Sequence, residues 1–175
     1  MGGPRGGTAK LGLKRTDAAG QDERIGNLAA GLSRLLEVEA TRSSIAMRTE
    51  FAVELPKVMG DRVQLQQVFM NLVLNAIEAM KVSGGELTVR SQLQDSQLLF
   101  SVSDTGVGLP AEKTDQIFSA FFTTKPQGSG MGLAISRSIV ESHGGQLWAS
   151  ANSGTGATFH FTLPIHVTES SPLVA

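Results

Sequence analysis

The chain has no cysteine among its 175 residues. Disulfides, thiolate zinc centres and cysteine nucleophiles are therefore excluded. It also lacks any run of ~18 apolar residues, so no segment reads as a membrane-spanning helix. An excess of one charge sign is missing too: 15 Lys and Arg stand against 16 Asp and Glu, a formal net charge of −1. That balance gives no reason to expect nucleic acid or a membrane surface as partner. The first residues carry Arg5, Lys10, Lys14 and Arg15 but no apolar block long enough for a signal peptide. No internal repeat is visible. These absences leave a cytoplasmic domain as the expectation, with a parent protein that can still be membrane-anchored.

The 41% hydrophobic content is enough for a core, and the length suits one domain. Residues 1–20 hold six glycines and few large apolar groups, and read as a disordered leader or cloning remnant. The domain proper is expected over 21–165, with a frayed tail over 166–175. Ile25, Leu28, Leu32, Leu35, Leu36 and Val38 fall mostly at helical spacing and predict a helix within 22–42. Residues 45–53 alternate and predict a strand. Asp61, with Gln64 three positions on, has the form of a capping box opening a helix over 61–80. Residues 86–94 and 97–104 predict a hairpin. A glycine-bearing connection over 105–130 is too long for an ordinary loop, and such loops are usually functional. A helix over 131–143 and strands over 146–151 and 157–163 complete the pattern. The order predicts an α/β fold of the two-layer α+β sandwich kind. Its sheet is mixed, mostly antiparallel, and covered on one face by helices.

The helix over 61–80 is apolar almost all round, which predicts burial. Gln67, Asn71, Asn75 and Glu78 nevertheless share one face, at spacings of four, four and three. A buried amide without a partner costs ~1–3 kcal/mol. The stripe therefore either bonds helix to sheet or lines a cleft. In a cleft, an asparagine oxygen is a hard neutral ligand suited to Mg²⁺.

Asp104 closes the apolar strand of Leu98, Leu99, Phe100 and Val102, and is followed by Gly106 and Gly108. An ionised carboxylate only accepts hydrogen bonds. It suits the exocyclic amine of adenine and repels the guanine carbonyl at the same place. A plain Asp-Thr-Gly turn is the simpler alternative. Gly128, Gly130 and Gly132 precede a helix, where unobstructed backbone amides attract phosphate. No Gly-Lys-Ser/Thr follows, so this is not a Walker A loop, and Leu133 breaks the dinucleotide fingerprint.

Taken together, these segments carry a resemblance. Asn71-Leu72-Val73-Leu74-Asn75-Ala76-Ile77-Glu78-Ala79 resembles the N box of sensor histidine kinases. Asp104-Thr105-Gly106-Val107-Gly108 resembles their first glycine box, and residues 117–125 their F box. Gly128-Ser129-Gly130-Met131-Gly132-Leu133 resembles the second glycine box, and Gly154-Thr155-Gly156 the last. The order and separations match, over roughly residues 45–164. Glu78-Ala79-Met80 is similar to the oxygen- and nitrogen-sensing branch.

The resemblance implies the Bergerat fold of the GHKL superfamily, with an ATP lid over roughly 106–130. It implies ATP and Mg²⁺ as cofactors, with Asn75 on the metal, Asp104 on the adenine amine and Asn71 facing the phosphates. The glycines, with Met131 and Leu133, would shape the lid and phosphate site, and Thr158 would approach the adenine. Lys125 is either a solvated lysine or a point charge for phosphate. Phe118, Phe121 and Phe122 read as an apolar staple tying the lid to the core.

The implied partners are ATP or ADP, a histidine-bearing helical hairpin and, indirectly, a response regulator. The only histidines are His143, His160 and His166, none on an upstream helix. His143 ends a helix, where the dipole favours a cation, and His160 should face the polar side of its strand. The acceptor module is therefore expected to lie outside this chain. The alternatives are a stand-alone ATPase or protein serine kinase on the same fold, or a nucleotide-gated interaction module without chemistry.

Overall fold

The structure is a computed structural model that describes residues 22, 23, 25–123 and 129–165. The expected leader over 1–20 and tail over 166–175 lie outside the described residues. Strand β1 (Asp22–Glu23) leads into helix α1 (Ile25–Arg42). Strand β2 (Ile45–Glu50) and the two-residue β3 (Val58–Met59) precede helix α2 (Arg62–Ala79). Strands β4 (Gly85–Gln94) and β5 (Gln97–Asp104) form a hairpin. Helix α3 (Gly132–Ser142) is followed by β6 (Leu147–Ala151) and β7 (Ala157–Pro164).

The main sheet runs β2-β4-β5-β7-β6, and β1 pairs with β3 apart from it. Only β2 and β4 are parallel; the other pairs of the main sheet are antiparallel. The α/β two-layer architecture expected from the sequence is the one observed. Strand β2 stops short of the expected Val53. After Glu50 the chain leaves the ladder, Ala52 N–H donates to the Ser91 hydroxyl at 3.2 Å, and Val53 is wholly exposed.

Alternation along the strands separates the two faces of the sheet. Leu98, Phe100 and Val102 of β5 and Phe159, Phe161 and Leu163 of β7 turn toward the helices and are buried. Phe100 and Phe161 stack at 5.1 Å between ring centroids. Helix α2 buries Leu65, Val68, Phe69, Leu72, Val73, Ala76 and Ile77 against this layer. It is not buried all round, however: Val63 is 73% exposed and Leu74 42%. The opposite side of the helix faces solvent, and its apolar residues there are surface residues. On the helix-free face of the sheet, His160 bonds Ser101 at 2.9 Å and Ser150 at 3.2 Å and stacks on Trp148. It lies on the polar face, as expected, and burial lowers its pKa.

The capping box forms by half. Asp61 accepts from Gln64 N–H at 3.0 Å, as an N-cap should. The N–H of Asp61, however, goes to Nε2 of His143 at 3.0 Å, not to Gln64. His143 is the C-cap of α3, and its Nδ1 lies 2.7 Å from the carbonyl of Ile139. Nε2 must accept and Nδ1 must donate, which is the neutral tautomer. The expected cation at a helix end is thus replaced by a neutral ring that ties the end of α3 to the start of α2. Replacing His143 by Phe keeps the ring but strands the Asp61 N–H. Urea unfolding should show a loss of ~1–3 kcal/mol; an unchanged midpoint would refute the clamp.

Candidate nucleotide site

A cavity of about 680 Å³ opens between the end of α2, the start of α3, the end of β5 and the start of β7. That is the size of a small-molecule site. Its wall includes Asn75 and Glu78 from α2, Asp104 from β5, and Ala157 and Phe159 from β7. Gly130, Gly132 and Leu133 close it at the head of α3.

Asp104 takes the next inward position after Leu98, Phe100 and Val102, where the strand would otherwise place an apolar residue. It is 2% exposed. An ionised carboxylate there needs donors. Oδ1 accepts Gly106 N–H at 2.9 Å and, more weakly, Ala157 N–H at 3.4 Å. Among the described residues Oδ2 has no hydrogen bond, and Asp104 lines the cavity. One oxygen thus anchors the side chain and the other is left for a ligand donor. Burial raises the carboxyl pKa, and the two backbone N–H groups pull it partly back.

Two glycines make this placement sterically feasible. At Gly106 a Cβ would overlap the carbonyl of Ala79, which ends α2. Gly156 has φ +94° and lies directly on the carbonyl of Asp104, so a Cβ there would overlap it too. Both positions exclude a side chain, because backbone meets backbone.

The amide stripe divides. Asn71, expected to face the phosphates, gives its Nδ2 to Gly132 O at 3.3 Å and Ser136 Oγ at 3.1 Å. It fastens α2 to the first turn of α3. Asn75 and Glu78, one and two turns on, line the cavity itself. Among the described residues there is no cluster of three His, Asp or Glu that could hold a metal ion alone. Asn75 would offer a metal at most one neutral amide oxygen, with waters and ligand groups needed to complete the shell.

Gly130 and Gly132 stand at the N-terminus of α3 as expected, and both line the cavity. Met131 is the N-cap, with its N–H on Ser129 Oγ at 3.3 Å, and is not part of the wall. Gly108 lines the cavity from the first glycine box. Gly128 and Lys125 lie outside the described residues.

The long connection is not structureless over its described part. It holds two short 3-10 turns, at Ala111–Lys113 and Gln116–Phe118. Ile117 and Phe118 are buried in the core, and Phe118 meets Phe159 edge-on at 6.3 Å. Arg137 of α3 covers the other side of that ring. Phe122 packs on the core as well. Phe121 does not: it is 77% exposed, with φ +66° and its N–H on Gly130 O at 2.9 Å. The staple therefore consists of Phe118 and Phe122, and the left-handed backbone at Phe121 takes its ring outward.

Thr158 is a further correction. It lies between Ala157 and Phe159, which line the cavity, so alternation turns it to the other face of the sheet. There its hydroxyl donates to Asn152 Oδ1 at 2.6 Å, with Ser103 Oγ 2.9 Å away. It is not placed to touch the base. Sequence reasoning also missed Lys113, which is in the cavity wall. Its position within an unassigned 3-10 turn left no periodic signal.

Residues 60–167 match the family described as histidine kinase-, DNA gyrase B-, and HSP90-like ATPases. The chain belongs to that family, as a domain of the kind that sensor histidine kinases carry. It is 46% identical over 143 residues to the sensor protein FixL of Bradyrhizobium diazoefficiens, which covers 76% of this chain and 28% of that protein. The nucleotide-free catalytic domain of histidine kinase ThkA matches with a TM-score of 0.74 at 36% identity, over 82% of this chain and 93% of that one. ThkA in complex with the response regulator protein TrrA matches with a TM-score of 0.72 at 33% identity, over 82% of this chain and 41% of that one. The chain spans about a third or less of the length of the curated relatives FixL, TmoS and ZraS. Among the described residues no helix is long and apolar enough to cross a membrane.

The raised pKa of Asp104 has a defined thermodynamic sign. The folded protein keeps a proton there at pH values where the unfolded chain has lost it. Its contribution to stability is therefore largest at low pH, and falls as pH rises from the ordinary 3.8 through the raised value. In Asp104→Asn that decline should vanish. Thermal unfolding of both proteins across this window checks it, and a constant difference between them contradicts the assignment.

Proposed function

We propose that this domain binds ATP with Mg²⁺ and presents the γ-phosphate to a histidine on a separate helical hairpin. A response regulator would then take the phosphoryl group from that histidine. The observation that carries the reading is the buried Asp104, with Oδ1 held by backbone and Oδ2 left to the cavity. Adenine offers an amine donor to that oxygen. Guanine offers a carbonyl, which a carboxylate repels.

At the other end of the cavity, the amides at the start of α3 suit phosphate. Lys113 in the cavity wall and Lys125, outside the described residues, are cationic candidates. Asn75 supplies a neutral oxygen toward Mg²⁺, and the metal, when bound, would neutralise charge that builds on the transferred group. The position on α2 that faces the start of α3 carries an amide, Asn71, and not a carboxylate. The amide of Asn71 is engaged with Gly132 and Ser136, and an amide is no base. That favours phosphoryl transfer over hydrolysis.

The domain's own described histidines are poorly suited as acceptors. His143 is held between Asp61 and Ile139, and His160 lies on the opposite face of the sheet. In-line transfer needs an exposed imidazole at the γ-phosphate. His166 is outside the described residues.

Calorimetry should show ATP and ADP binding, with GTP far weaker. Asp104→Asn should lose ATP, because Asn Oδ1 can keep both backbone N–H groups while its amide donor faces the adenine amine. Equal binding of ATP and GTP by the wild type would sink the assignment. Incubation with γ-labelled ATP should leave the domain unlabelled and hydrolyse ATP slowly. Adding a cognate hairpin that bears the acceptor histidine should transfer label to the hairpin. Acid-labile label on the domain alone would show that the acceptor lies within this chain.

A further inference from the structure

We propose that Asn152, which does not line the cavity, is the positioning residue that sets the Asp104 carboxylate for the base. The inference rests on Asp104 being the adenine acceptor and names what aims it.

Asn152 follows the last residue of β6 and opens the turn 152–156. Its Nδ2 donates to the carbonyl of Asp104 at 2.8 Å and reaches Ser103 Oγ and Thr155 O, each at 3.4 Å. Its Oδ1 accepts from Thr158 at 2.6 Å. Donor and acceptor ends of the amide are thus both used, which fixes its orientation. Its backbone N–H closes the turn on Gly156 O at 3.1 Å. A further bond, Thr155 Oγ1 to Thr105 O at 3.2 Å, joins the same two segments.

These bonds press the turn onto the backbone of residues 104–105, where Gly156 meets the Asp104 carbonyl without a side chain between them. Two consequences reach the carboxylate. The first is the position of the Asp104 backbone, from which the side chain extends. The second is the N–H of Ala157, which follows Gly156 and is one of the two donors to Oδ1. Without the Asn152 amide, the turn loses one of its two side-chain ties to this backbone, keeping the Thr155 bond, and the Ala157 donor to Oδ1 is held less firmly. Oδ2 is then no longer held where an adenine amine meets it. Thr158 acts in the same unit: its hydroxyl orients the amide from the helix-free face of the sheet.

The test compares ATP with purine riboside triphosphate, which has the same phosphates and ribose but no exocyclic amine. Wild type should bind ATP more tightly than this analogue. Asn152→Ala should weaken ATP by about tenfold and leave the analogue unchanged, collapsing the preference. Thr158→Val, a milder change that keeps the shape of its side chain, should move the preference the same way by a smaller factor. An equal loss for both ligands, or a preference unchanged in both variants, overturns the proposal, because general damage to the domain does not distinguish the two nucleotides. A wild type with no preference overturns the reading of Asp104 itself, and is told apart from the former because it needs no variant.

Discussion

A carboxylate set into an apolar layer is the constraint around which this domain is arranged. Asp104 continues the inward series of Leu98, Phe100 and Val102, so its charge is taken largely out of water. Such burial is costly unless donors replace the lost hydration. Among the described residues two backbone N–H groups do so, and both reach the same oxygen. The remaining oxygen needs either water in the cavity or a ligand that donates. The site is therefore incomplete by construction of the strand, and the proposed adenine amine is a donor that would complete it.

That constraint dictates what surrounds it. To bring the Gly106 N–H back onto the carboxylate, the chain must turn against the end of α2, where Val107 N–H also meets Ala79 O at 3.3 Å. To bring the Ala157 N–H in, the turn before β7 must lie on the Asp104 carbonyl. The glycines of two separate motifs are thus steric consequences of one buried charge. The wall opposite is held as firmly. Asn71 joins α2 to the start of α3, and His143 joins the end of α3 to the start of α2. Two ties at opposite ends of α3 hold it against α2.

Much of this was legible in the residues. The N-cap at Asp61, the hairpin over 86–104 and the sheet's mixed character follow from short-range spacing, and they were found where spacing placed them. Asp104 was legible because a carboxylate stands out against an apolar strand. Several of the errors share one cause. Thr158, Phe121 and the second half of the capping box depend on which face a residue takes once distant strands and helices are paired. Thr158 is turned away from the base by the register that sets it opposite Ser103. His143 meets Asp61 across 82 positions of sequence, and no local pattern announces that pair. Asn152 reads as an ordinary turn residue until the β5–β7 pairing puts it behind Asp104.

The two faces of the sheet thereby acquire different chemistry with a physical connection between them. The inward face holds the core and the cavity. The outward face holds a polar network of Ser103, Asn152 and Thr158, and beyond it the neutral His160 between two serines. Networks of this kind gain from being complete, since each bond polarises the next and an unpaired member is costly. Because the Asn152 amide spans from that network to the Asp104 backbone, the proposed base contact would depend on polar groups outside the cavity wall. Under that proposal, side chains on the back of the sheet are part of the specificity of the front. A search for determinants of base recognition confined to the cavity wall would pass over them.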